Sequence, residues 1–121
     1  MPKTILIVDD EPEMVEFLEI LLGHRDYHTL AAYSGQECLQ HARQESPDLI
    51  LLDLFLVDAD GLEILRQLRE GEKTADIPIL VVSGRDEPRA KRESLEAGAE
   101  AFLLKPYHPQ TLLDKIEDHL D

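Results

Sequence analysis

Four short apolar runs in this chain each stop on a residue able to do chemistry. Ile5 to Val8 is followed by Asp9 and Asp10, Leu49 to Leu52 by Asp53, Ile79 to Val82 by Ser83, and Ala101 to Leu104 by Lys105. Carboxylates gathered in a small volume raise one another's proton affinity and cost stability unless a hard cation neutralises them. An oxygen-rich, partly hydrated set of this kind suits Mg2+. A hydroxyl and an ammonium beside it add an anion site. A phosphoryl group on Asp53 would then be neutralised by the cation on one side and Lys105 on another, and hydrogen bonded by Ser83. Taken singly, each residue has a plainer reading: solvated acids at strand ends, a turn hydroxyl at Ser83, a solvated charge at Lys105. The chemistry depends on whether the fold brings these run ends to one edge.

The elements that must do so are legible from pattern. Asp48 to Asp53 holds four consecutive aliphatics with no polar alternation, which suits a strand buried on both faces of a parallel sheet. The runs at 5–8, 79–82 and 101–104 read the same way, and Tyr27 to Tyr33 is a weaker, edge-like strand. Between them lie helical patterns. Pro12 opens a helix with Met14, Phe17, Leu18, Leu21 and Leu22 as its inward stripe, Val15 and Ile20 off it, and Gly23 at its end. Ser34 and Gly35 cap a helix over 36–44 that carries Cys38, Leu39 and Ala42. After a loop at 54–60, Gly61 opens a helix with Leu62, Leu65 and Leu68, closed by Gly71. Residues 88–97 form a charged helix with a thin apolar face, and Pro109 begins a last helix with Leu112, Leu113, Ile116 and Leu120 inward.

Strict alternation of five strands and five helices predicts βαβ units, right-handed crossovers and a single doubly wound α/β domain over 1–121. The expected sheet is parallel, in the flavodoxin-like order 2-1-3-4-5, with helices on both faces. That order sets the first and third strands side by side at the switch point, so Asp9, Asp10 and Asp53 should meet there. Val15 should project near the acidic turn that follows the first strand.

Composition bounds the partners. The formal charge of −14 and the sequence pI of about 4.6 set this surface against phosphate backbones and anionic lipid, so neither direct nucleic-acid nor membrane binding is expected. Cys38 is the only cysteine, which excludes an internal disulfide and a multi-cysteine zinc site and fits a reducing compartment, the cytoplasm by default. No run approaches the roughly 18 apolar residues of a membrane span.

Asp9-Asp10, Asp53, Asp60-Gly61, Ser83 and Lys105-Pro106, in this order and at these strand ends, resemble the receiver domain of two-component response regulators over essentially the whole chain. Each motif alone is weak and the ordered set is specific. The resemblance implies that Asp53 is the phosphoacceptor, taking phosphorus from a phosphohistidine on a sensor histidine kinase or a histidine phosphotransfer protein. It implies Mg2+ held by Asp10 and Asp53, by Asp9 mostly through water, and by the Phe55 backbone carbonyl. Lys105 would contact the phosphoryl oxygens, Ser83 would move toward them, Phe102 would stand at the rotating aromatic position, and Lys105-Pro106 would be cis.

The implied output face is the fourth helix, fifth strand and fifth helix, serving a downstream protein target or an effector domain, with phosphorylation-dependent homodimerisation through it left open. The implied kinase-docking face is the first helix near Val15. The chain departs from the family at Leu56-Val57, where the family often has Met-Pro. Phe55, by its bulk, and Arg85, two residues after Ser83, are placed to shield the acyl phosphate, so slow self-dephosphorylation is expected.

Two other readings compete. Asp58-Ala-Asp60-Gly61 resembles the Asp-x-Asp-Gly signature of magnesium-dependent haloacid-dehalogenase-type phosphohydrolases, although that signature normally closes a first strand. A receiver-like interaction module that is never phosphorylated is the other, and clustered acids argue against it.

Overall fold

The computed structural model describes residues 2–84 and 88–120. The elements alternate as expected: β1 (Thr4–Val8), α1 (Pro12–Gly23), β2 (His28–Ala32), α2 (Gly35–Glu45), β3 (Leu49–Asp53), α3 (Gly61–Glu70), β4 (Ile79–Ser83), α4 (Pro88–Glu96), β5 (Ala101–Leu104) and α5 (Pro109–Asp118). The five strands are parallel in the order β2-β1-β3-β4-β5.

Successive strand residues point to opposite faces, and here both faces are covered. Leu6, Val8, Ile50, Leu52, Ile79 and Val81 pack into one layer with Leu39, Leu65, Leu68 and Ala90 from α2, α3 and α4. Ile5, Ile7, Leu49, Leu51, Leu80 and Val82 pack into the other with Leu18, Leu22, Leu112 and Ile116 from α1 and α5. This is why β1, β3 and β4 read as unbroken apolar runs. Each fully buried Leu or Ile in these layers is worth about 1.5–3 kcal/mol of apolar burial.

One expectation for α1 is corrected. Val15 is fully buried in the α1/α5 layer with Leu18 and Leu22, while Phe17 is 45% exposed and Ile20 57%. Residues 15, 18 and 22 fall at i, i+3 and i+7 and make as good a helical stripe as the predicted one, turned by one residue. With both Met14 and Val15 apolar, periodicity could not choose the phase. Val15 therefore offers no side chain to a partner.

At the end of the sheet remote from the Asp53 tip, the Arg69 guanidinium ties together two loops, the one before β4 and the one before β5. Its Nε donates to the Gly98 carbonyl at 3.0 Å, and its Nη1 to the Ala75 and Ile77 carbonyls at 3.0 and 2.7 Å. The thin inner face of α4 is made of Ala90 and Ser94, whose hydroxyl donates back to the Ala90 carbonyl. No helix among the described residues is long and apolar enough to cross a membrane.

Candidate functional site: an acidic cluster at the strand ends

Strand register builds the site. Val8 pairs with Leu52, so Asp9 and Asp53 leave adjacent strands side by side. Asp53 pairs with Val82 and Ser83 with Leu104, which brings Ser83 and Lys105 to the same edge. The carboxylates of Asp9, Asp10 and Asp53 present oxygens within 4.8 Å of one another. Asp9 and Asp53 are buried, at 3% and 6% exposure, and Asp10 is half-buried.

Each buried acid is held by two donors. Asp9 Oδ1 accepts from the Glu11 amide at 2.9 Å and its Oδ2 from Lys105 Nζ at 3.1 Å. Asp53 Oδ1 accepts from the Phe55 amide at 3.1 Å and its Oδ2 from the same ammonium at 3.3 Å. Ser83 is fully buried at the end of β4, and its carbonyl accepts from the Lys105 amide at 2.8 Å. The Lys105-Pro106 peptide is cis. Phe102 is half-buried against the layer shared by α2, α3 and α4. Phe55 is 48% exposed beside Asp53, and Arg85 lies outside the described residues.

Electrostatics follow from this packing. Burial pushes the Asp53 carboxyl above its ordinary value, against the Phe55 amide and Lys105, and the Asp9 charge adds to the push. Burial disfavours the Lys105 ammonium, but the Asp53 and Asp9 charges outweigh it, so its affinity for a proton rises. The sign for stability differs between the two. Between its unfolded and folded values Asp53 binds more protons folded than unfolded, so its contribution falls as pH rises from about 3.9 through the folded value. The Lys105 contribution is complete below about 10.4 and is lost as pH rises through its raised folded value. In metal-free buffer, Asp53→Asn should therefore melt above the parent at pH 7, with the gap closing toward pH 4. Thermal melts across that range check this; a gap that widens on acidification overturns it.

Asp58 and Asp60 do not join the cluster, which corrects the phosphohydrolase alternative. The Asp58 carboxylate accepts from the Gly35 amide at 2.7 Å and the Gln36 amide at 3.1 Å, and Asp60 accepts from the Leu62 amide at 3.0 Å. Both acids spend their oxygens on helix amides that have no partner within the helix. Cys38 is fully buried, and burial pushes its thiol up to about 12, so it is no nucleophile. Tyr107 was not foreseen. It lines a small cavity with Leu18, Val82, Asp9, Asp53 and Lys105, and its phenol is raised chiefly by burial. Its place two residues after Lys105 was the one sequence signal.

A doubly wound sheet with an acid cluster at its switch point, a lysine on two of the acids and a buried serine beside them defines a class, and the comparisons agree. The chain belongs to the response regulator receiver domain family, whose model matches residues 5–117. These domains are phosphoacceptor switches of two-component signalling rather than classical enzymes. The chain is similar to the alkaline phosphatase synthesis transcriptional regulatory protein PhoP of Bacillus subtilis, 38% identical over 97% of this chain and 48% of that protein. It is also similar to the phosphate regulon transcriptional regulatory protein PhoB of Pseudomonas aeruginosa, 37% identical over 95% of this chain and 50% of that one. Among solved structures, the BeF3-activated N-terminal receiver domain of RstA from Klebsiella pneumoniae superposes with a TM-score of 0.90 at 31% identity, covering 97% of both chains. The chain spans about half the length of the curated relatives it matches.

Proposed function

We propose that Asp53 takes a phosphoryl group from the phosphohistidine of a sensor histidine kinase or histidine phosphotransfer protein, in the cytoplasm. The observation that carries this is the Asp53 carboxylate, buried at a strand tip with one oxygen on the Phe55 amide and the other on Lys105. That arrangement fixes a nucleophile beside a cation held on it. A carboxylate oxygen attacks phosphorus, a P–O bond forms, and the P–N bond breaks with its electron pair left on the imidazole nitrogen. Lys105, already on Asp53, is within reach of the oxygens of a group bonded there, and Ser83 sits at the neighbouring strand end.

Three carboxylates with oxygens this close are a hard-cation donor set, so the residues fit Mg2+. Asp9, Asp10, Asp53 and the Phe55 carbonyl would hold it, and when bound it supplies positive charge to the phosphoryl oxygens. Incubation with a small-molecule phosphodonor and Mg2+, followed by intact mass, tests the reading. One added phosphoryl group, absent when the metal is chelated, supports it; no gain favours the unphosphorylated interaction module.

Phe55 covers the acyl phosphate against water. Phe55→Ala should shorten the phosphate half-life several-fold, as followed by loss of the added mass; an unchanged or longer half-life sinks this. The signal leaves through α4, β5 and α5 to a downstream protein or effector domain. This is supported by the small-residue seat of α4 and by Leu95 and Leu104, at 42% and 37% exposure on that face. Docking of the phosphodonor protein is assigned to α1, where exposed Phe17 and Ile20 take the place given to Val15.

A further inference from the structure

The loop from Leu54 to Asp60 joins the acceptor strand to α3 and contains neither proline nor glycine. Its course is therefore set by contacts rather than by restricted backbone dihedrals. The inner arm is held from the strand side. Asp53 Oδ1 accepts from the Phe55 amide, the Leu54 carbonyl accepts from the Gly61 amide at 2.9 Å, and Phe55 bridges to Asp60. The outer arm rises to Val57, which is 77% exposed and offers no such hold.

What fixes the outer arm is Asp58. Its two oxygens take the Gly35 and Gln36 amides at 2.7 and 3.1 Å, across 23 and 22 residues of sequence. A carboxylate on the first amides of a helix is favoured by hydrogen bonding and by the helix dipole together. The Gly35 amide holds the Asp58 carboxyl below the usual carboxylate range. The junction is tight: a Cβ on Gly35 would lie 2.8 Å from Ile64 Cδ1 and 3.1 Å from the Ala59 Cβ. The start of α2 thus sits directly on the residue that follows Asp58. Local capping of α2 is a separate bond, the Ser34 hydroxyl accepting from the Glu37 amide of the same helix at 3.1 Å.

We propose that Asp58 is a positioning residue for the acceptor site: by clamping the outer arm of the loop to the start of α2, it holds Phe55 where its carbonyl can complete the Mg2+ donor set. This rests on the reading of Asp9, Asp10, Asp53 and Phe55 as that set. Partners that orient metal ligands without touching the metal typically carry about tenfold or more in affinity.

The test is Mg2+ titration of the unphosphorylated chain by calorimetry, there being no tryptophan to report binding. Asp58→Ala should bind Mg2+ about tenfold more weakly than the parent. Asp58→Asn, with one acceptor oxygen left, should fall between them. Ser34→Ala, which removes a cap from the same helix but leaves the Asp58 bonds to the Gly35 and Gln36 amides, should lower the melting temperature and leave Mg2+ affinity at the parental value. Parental affinity in Asp58→Ala, or an equal loss in Ser34→Ala, overturns the positioning role while the donor set stands. A parent that binds no Mg2+ overturns both.

Discussion

Asp53→Asn should end phosphoryl uptake, with intact mass after treatment with a small-molecule phosphodonor and Mg2+ staying at the unmodified value. The carboxamide is nearly isosteric, and its single oxygen can keep one of the two bonds that the carboxylate makes through separate oxygens, to the Phe55 amide and to Lys105. What is lost is the nucleophile, because a neutral amide oxygen does not displace imidazole from phosphorus at a useful rate. The loss of uptake is therefore a loss of chemistry, and because burial disfavours the Asp53 charge the same variant should be the more thermostable one at neutral pH without metal. Phosphoryl gain in Asp53→Asn would move the acceptor elsewhere.

Gly61→Ala should be the most damaging small substitution. A Cβ there would lie 2.4 Å from the Leu54 Cα and 2.8 Å from the Asp53 and Leu54 carbonyl oxygens, all main-chain atoms with no rotamer to yield. Relief requires the start of α3 to lift or the end of β3 to shift. Such overpacking costs about 3 kcal/mol, a large part of a typical domain's 5–15 kcal/mol. Since the displaced atoms include the Asp53 backbone, phosphodonor labelling should fall in parallel. Urea denaturation measures the first effect and intact mass the second. Gly23→Ala is the control, with nothing within 4 Å of its added carbon. A Gly61→Ala midpoint equal to the parent's would refute the close approach.

How much of this was legible depends on whether the interaction is local. β3 and β4 announced themselves because strands covered on both faces carry no alternation, and their terminal Asp53 and Ser83 followed. The Ser34 cap was legible because it is satisfied within the next turn. The Asp58 clamp was not, since its partners lie 23 and 22 residues away and the Asp-x-Asp-Gly spacing pointed to a different chemistry. Tyr107 was hidden likewise, its cavity being shared with Leu18 and Val82 from other elements. The phase of α1 escaped because two neighbouring apolar residues satisfy the same period.

The Arg69 bonds have a mechanical consequence. Its Nε holds the carbonyl of Gly98, two residues beyond the end of α4, and its Nη1 holds the chain leading into β4. The helix is thus pinned at its tail, and its head begins on the Ser83 side of the sheet. A rod fixed at one end can swing but cannot slide. Any displacement of α4 is therefore constrained more tightly at its Glu96 end, next to the held Gly98 carbonyl, than at its Pro88 end.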